Sequence, residues 1–220
     1  MPKLFGTHGV RGISNVELTP KLAVELGLAL ATWLKNRGKV AIGYDNRTSG
    51  IMLEHATIAG LTDGGCDAFR LGMVPTPILS FGIRYFRCDA GVMITGSHNP
   101  PECNGIKFWD PEGASFSREY ERQVEWIFDK PRRVVWSSIG RCREVDVIEQ
   151  YMRAVLARVP RFKRRLKVVV DCANAAGSVV TPRLLTELGC QVISMNCQPD
   201  GTFPGRLPEP SPEHLGELIE

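Results

Sequence analysis

The stretch Thr95-Gly96-Ser97-His98-Asn99-Pro100 sets a hydroxyl, an imidazole and an amide at the exit of the apolar run Ala90-Gly91-Val92-Met93-Ile94, which reads as a buried strand. Gly96 lets backbone approach a ligand with no Cβ in the way, and Pro100-Pro101 restricts how the loop leaves. This chemistry fits a serine that carries a phosphoryl group. A hydrolase elbow would need glycine two positions before and two after the serine, where Thr95 and Asn99 stand. Neighbouring side chains diverge on an extended backbone, so His98 is expected to be poorly placed to deprotonate Ser97. The competing reading is a polar turn after a strand.

Three other segments bear on that choice. In Phe5-Gly6-Thr7-His8-Gly9-Val10-Arg11-Gly12, glycines at a spacing of three expose backbone N–H groups, and Arg11 offers a planar fork for phosphate or carboxylate. The spacing matches neither the dinucleotide fingerprint nor the Walker loop. Gly43-Tyr44-Asp45-Asn46-Arg47-Thr48-Ser49-Gly50 lies between the strand Val40-Ala41-Ile42 and an apolar run of helix length from Ile51 to Leu61, the position at which α/β folds bind anions. In Asn104-Gly105-Ile106-Lys107-Phe108, Asn-Gly reads as a tight turn and the rest as a returning strand, which would hold Lys107 near Ser97. Lysine there neutralises phosphate charge or moves a proton.

In order, spacing and wording these segments resemble the α-D-phosphohexomutases: the phosphoglucomutases, phosphomannomutases and phosphoglucosamine mutases. The resemblance runs from Phe5 to about Glu213 and takes in Val168 to Ser178 and Pro199-Asp200-Gly201-Thr202-Phe203-Pro204. It implies that Ser97 passes a phosphoryl group to a hexose monophosphate and recovers the other phosphate after the bisphosphosugar reorients, moving phosphate between C6 and C1. Ser97, Arg11, His98 and Lys107 would be catalytic, and Thr7, Arg47 and Asn99 would contact substrate or phosphate. Mg²⁺ would bind through the phosphoryl group on Ser97, with a hexose 1,6-bisphosphate as activator. Phosphoryl transfer itself asks mainly for alignment and for cations on the equatorial oxygens, which Arg11, Arg47 and Lys107 supply. The proton acceptor is either His98 or Lys107. The form Phe-Gly-Thr-x-Gly-x-Arg-Gly resembles the phosphoglucosamine mutase and archaeal branches more than the animal phosphoglucomutases, without fixing the sugar.

The resembled family has four domains on a chain roughly twice as long, whereas domains of about 100 to 150 residues leave room here for at most two. The reading is therefore a first domain over 1–145 and the first part of a second over 146–220. The family's acidic metal loop, Asp-Gly-Asp-x-Asp-Arg, does not occur among the 220 residues. A phosphoserine alone would leave Mg²⁺ held mostly by water. Little turnover is expected from this polypeptide without the remaining domains, in the same or another chain; the alternative is a phosphosugar-binding or assembly module. Asp171, ending a buried strand, and Asp200, in a Pro-Asp-Gly turn, have structural readings and do not replace the metal loop.

With 43% hydrophobic and 23% charged residues, no bilayer-length apolar run and no secretion signal, the chain reads as a cytoplasmic α/β protein without membrane partners. Seven scattered cysteines with no Cys-x-x-Cys pair argue against a disulfide framework or structural zinc, and most are expected to be small buried hydrophobes. Residues 130–167 carry twelve Lys or Arg against Glu144, Asp146 and Glu149, a block read as a solvated face rather than a nucleic-acid site because it lacks interleaved aromatics. A homo-oligomer is left open.

The elements that must position the site alternate. Helices are read near 20–35, 49–64, 76–85, 117–128, 145–159 and 178–188, and strands at 39–44, 67–71, 90–94, 105–109, 166–171 and 191–195. Residues 131–143 read as a crossing segment, and 199–212 as irregular because Pro204, Pro208, Pro210 and Pro212 exclude regular helix. The rhythm implies a mixed, mainly parallel sheet sandwiched by helices, followed by an incomplete second α/β domain of similar design.

Overall fold

The computed structural model describes residues 4–6, 9–160, 162 and 164–220. A six-stranded sheet is built from β1 (Val10–Ile13), β2 (Lys39–Tyr44), β3 (Asp67–Met73), β4 (Ala90–Ile94), β5 (Cys103–Trp109) and β6 (Cys142–Glu144), in the order β1-β5-β4-β2-β3-β6. The pairs β4/β2, β2/β3 and β3/β6 are parallel, while β5 runs antiparallel to both β4 and β1. Strands inside a parallel sheet are covered on both faces, which is why all five residues of β4 are buried and apolar.

Helices α1 (Pro20–Trp33), α2 (Gly50–Asp63) and α4 (Arg118–Phe128) cover one face around Leu26, Leu30, Leu53, Leu61, Val92, Ile94, Ile106 and Phe108. On the other face α3 (Thr76–Tyr85) and α5 (Ile148–Leu156) enclose Leu71, Ile78, Leu79, Ile83, Met93 and Met152. Local chemistry sets the helix starts: the hydroxyls of Thr19 and Ser117 accept from the N–H groups of Leu22 and Tyr120, and Pro20 opens α1 where its missing N–H costs nothing. A second, two-stranded parallel sheet pairs β7 (Lys167–Asp171) with β8 (Gln191–Met195), with α6 (Thr181–Glu187) between them and a short α7 (Gly216–Ile219) near the end.

Several expectations change. Asn104-Gly105 is not a turn but lies within β5, opposite Gly12 and Arg11; the chain reverses earlier, through 96–102. The Asn104 side chain is fully buried, accepting from Gly105 N–H and donating to Ser49 Oγ at 2.8 Å, so turn chemistry gave way to a tertiary partner. Arg11 stands in β1 rather than in a glycine loop. The crossing segment ends in the edge strand β6, and α5 is shorter than the 145–159 reading. The helix read over 178–188 is divided into a 3-10 turn, Ala176–Val179, and α6, because Pro182 supplies no N–H to continue the earlier turn. All seven cysteines are free; Cys66, Cys88 and Cys190 are buried, Cys103, Cys172 and Cys197 partly so, and Cys142 is exposed. Among the described residues, no helix is long and apolar enough to cross a membrane.

Candidate active site

The loops after β2 and β4 meet because those strands are parallel neighbours, and the N–H of Asp45 donates to the carbonyl of Ile94 at 2.9 Å. Asp45 is 8% exposed and organises both loops. Its Oδ2 accepts from the Thr95 hydroxyl at 2.7 Å, the Gly96 N–H at 3.3 Å and Arg47 Nε at 3.2 Å, and Oδ1 accepts from the Arg47 N–H at 3.1 Å. The Thr95 hydroxyl in turn accepts from the Ser97 N–H at 2.9 Å.

Arg47 is the clamp. Its side chain is wholly buried, and its remaining donors reach the carbonyls of Cys103 at 2.7 Å, Ser97 at 3.0 Å, Asn99 at 2.6 Å and Pro100 at 2.5 Å. A guanidinium has five N–H groups, and all five are used. Arg47, read from sequence as a phosphate ligand, is left with no donor for one; its position is set by loop carbonyls and Asp45. The guanidinium also explains Gly96, since a Cβ there would stand 2.4 Å from Arg47 Cζ and Nε and 2.6 Å from the Cys103 carbonyl oxygen. The Phe203 ring covers it from the other side, 5.2 Å from Cζ.

Pulled down by these bonds, Ser97 takes φ +59°, a left-handed conformation uncommon for a residue with a side chain. That overturns the expectation that Ser97 and His98 diverge, which assumed an extended backbone: Ser97 Oγ lies 3.4 Å from His98 Nδ1. Ser97 and His98 are exposed at the rim.

Arg11 reaches the same region from the next strands. It pairs with Gly105 across β1/β5, and the Gly105 carbonyl accepts from the Thr95 N–H at 2.9 Å, so Arg11, Gly105 and Thr95 form a row at the mouth of the serine loop. Lys107, two residues along β5 from Gly105, shares Arg11's face. Burial pulls the Arg11 guanidinium below its ordinary value, with the charge of Arg47 adding to it; burial and the charge of Arg11 do the same to the Lys107 amine. Among the described residues neither cation has a salt-bridge partner, and Arg11 Nε is buried with no partner at all. Mutually repelling, half-buried cations without a counter-ion make a setting that favours a bound anion.

Thr7 lies outside the described residues. Asn99 engages the loop through its backbone, its N–H donating to the Gly96 carbonyl at 3.2 Å. Asp171 is tied to Arg206, Ala173 N–H and Asn196; burial pushes its carboxyl up, but these partners hold it below the usual range. Asp200 closes its own turn by accepting from Thr202 N–H and Oγ1. Sequence reasoning missed Asp45 and Thr95 as the hub, although both stand in segments singled out for chemistry. Among the described residues, no group of three or more His, Cys, Asp or Glu side chains is gathered to hold a metal ion. The carboxylate beside the loop, Asp45, is already committed to Thr95, Gly96 and Arg47, so a Mg²⁺ ion at Ser97 would need further oxygens, such as those of a phosphoryl group.

Two family models match, described as phosphoglucomutase/phosphomannomutase α/β/α domain I over residues 2–134 and domain II over residues 149–220. The chain belongs to the phosphoglucomutase/phosphomannomutase family. Among its phosphohexomutase relatives are a "Phosphoglucomutase/phosphomannomutase" of Thermococcus kodakarensis, 47% identical over all of this chain and 50% of that protein, and a "Probable phosphoglucosamine mutase" of Methanothermobacter thermautotrophicus, 47% identical over 100% and 49%. A crystal structure of a phosphoglucomutase/phosphomannomutase family protein from Burkholderia thailandensis superimposes with a TM-score of 0.88 at 28% identity, covering 99% of this chain and 49% of the other. The chain thus spans about half the length of the curated relatives it matches.

Proposed function

We propose that Ser97 is the phosphoryl carrier of a phosphohexomutase that moves phosphate between C6 and C1 of a hexose phosphate through a bisphosphosugar. The observation that carries this reading is the contrast within one loop. Thr95, Gly96, Asn99 and the backbone of Ser97 are tied down by Asp45 and Arg47, while the Ser97 side chain is exposed, beyond the strand row of Arg11, Gly105 and Thr95, whose cations Arg11 and Lys107 have no salt-bridge partner among the described residues. In the transfer, the bond from phosphorus to Oγ breaks as one from phosphorus to the sugar oxygen forms. The sugar hydroxyl's proton passes to the neutral Lys107 amine, and the His98 imidazolium returns a proton to Oγ from Nδ1; recovery of phosphate reverses both movements. The lowered pKa of Lys107, caused by burial and Arg11, favours the neutral amine this role needs. Arg11 holds the transferring group, Thr7 and Asn99 contact the substrate, and Arg47 positions the loop.

The complete reaction would belong to a protein that also carries the half of its relatives' length that this chain does not span, in one chain or two, and Mg²⁺ would there be held in part by the phosphoryl group on Ser97. We assign residues 1–145 to the first domain and 146–220 to the beginning of the second. A pulse and chase tests the reading: the chain is treated with a hexose 1,6-bisphosphate, cleared of it and offered a hexose 6-phosphate. Phosphate taken up at Ser97 and then discharged to the sugar supports a carrier; sugar binding without covalent uptake supports a binding module instead.

A further inference from the structure

The irregular segment 199–212 belongs to the second half of the chain, yet it is fastened to the serine site. Asn46 Nδ2 donates to the carbonyls of Asn174 at 2.7 Å and Asp200 at 2.8 Å. A Cβ on Gly201 would lie 2.5 Å from the Thr48 N and 2.6 Å from the Asn46 carbonyl oxygen, so the segment packs directly on the loop after β2. Phe203 then covers the Arg47 guanidinium. Farther along, Glu209 stands between Pro208 and Pro210, which restrict its backbone, and its carbonyl accepts from His214 Nδ1–H at 2.8 Å. This held residue sends its carboxylate to His98, with Oε2 3.5 Å from Nε2.

The imidazole of His98 therefore faces Glu209 through Nε2 and the Ser97 hydroxyl through Nδ1. A carboxylate only accepts, so it keeps the proton on Nε2 and leaves the Nδ1 lone pair toward Oγ. An exposed ion pair contributes little to stability, and both side chains are about half exposed. What the contact does instead is choose a tautomer and supply a counter-charge when the ring is protonated.

We infer that Glu209 is a positioning residue for His98, holding it as the Nε2–H tautomer so that Nδ1 exchanges the proton of Ser97 Oγ during phosphoryl transfer. The inference rests on the phosphoserine reading and adds to it a group from the second half of the chain. When Ser97 is phosphorylated by a bisphosphosugar, the bond from Oγ to phosphorus forms and the sugar oxygen to phosphorus bond breaks. The serine proton moves to Nδ1, the imidazolium forms beside Glu209, and the departing sugar oxygen takes a proton from the Lys107 ammonium.

Long-range ¹H–¹⁵N NMR of His98 in the chain, above its titration range, reads the tautomer. Nε2–H is expected in the wild type and in Glu209→Gln, whose amide oxygen still accepts, and a mixed population in Glu209→Ala. Phosphorylation of Ser97 by a hexose 1,6-bisphosphate, followed by intact mass, is expected to slow about tenfold in Glu209→Gln, since the imidazolium that forms loses the carboxylate counter-charge 3.5 Å from Nε2. Adding Glu209→Ala to His98→Ala should cost nothing further. A tautomer unmoved by Glu209→Ala, or rate losses that multiply in the double variant, overturns the inference. Should the wild type accept no phosphoryl group, the parent reading fails, and the tautomer still decides whether Glu209 orients His98.

Discussion

Replacing Arg47 with methionine keeps much of the stem's volume and removes all five donors. The buried carboxylate of Asp45 then loses its counter-charge, and four carbonyls of the serine loop lose a charged donor. Breaking a buried ion pair from one side costs about 3–5 kcal/mol. The carbonyls lie at the rim where water replaces much of what they lose, and Phe203 gives up a cation–π contact of about 0.5–1 kcal/mol. The expected loss is thus about 4–5 kcal/mol, a large part of the ~5–15 kcal/mol that holds an ordinary domain. At roughly 2–4 °C per kcal/mol for a chain of this size, the melting temperature should fall by about 8–20 °C. Circular dichroism melts and urea titrations measure this, and because the pair is buried the loss should hardly change with salt. Adding Asp45→Asn should restore about half, since it neutralises the stranded carboxylate. A loss under about 1 kcal/mol, or no recovery in the double variant, would show that Arg47 does not hold the loop and refute the reasoning.

Three further outcomes follow from the same geometry. Ser97→Gly relieves the φ of +59° and should raise stability by about 0.5–1 kcal/mol in denaturant titrations while abolishing phosphate uptake; Ser97→Ala, keeping a Cβ, should lack the gain. Gly96→Ala drives a Cβ into Arg47 and should cost about 2 kcal/mol or more, read as a lowered urea midpoint. Burial and Arg11 lower the Lys107 pKa, so between the lowered and the ordinary lysine value the unfolded chain binds more protons there, and stability rises with pH through that window. Lys107→Met should flatten this rise, raise stability at neutral pH and slow uptake at Ser97; denaturation at several pH values checks it, and a variant less stable at neutral pH would contradict it.

Much of this was legible in the residues. The central strands β2 and β4 announced themselves because burial on both faces demands continuous apolar runs, and α3 opens on Pro75-Thr76-Pro77, where a missing N–H costs nothing in the first turn. The candidate nucleophile, Ser97, was proposed from the polar loop after β4, and the candidate cations from residue type and nearby glycines. What could not be read is tertiary. Asn104-Gly105 has the composition of a turn, and only the Ser49 hydroxyl across the structure makes it strand. Whether a guanidinium meets phosphate or its own loop's carbonyls depends on the partners offered, and only the structure shows the Arg47 donors engaged by Asp45 and neighbouring carbonyls. The Ser97 to His98 contact needed a left-handed residue that no local signal marks. Glu209, over a hundred residues from His98, became visible only when segment 199–212 was seen lying across the loop.

The central claim is that one hydroxyl, at Ser97, is esterified beside Arg11 and Lys107. Peptide-resolved mass spectrometry of the chain after exposure to a hexose 1,6-bisphosphate measures this directly, with Ser97→Ala and Arg11→Met alongside. The account predicts a single added phosphoryl group mapping to Ser97, absent from Ser97→Ala and strongly slowed in Arg11→Met. Phosphate mapping elsewhere, or uptake at Ser97 indifferent to Arg11, would contradict it.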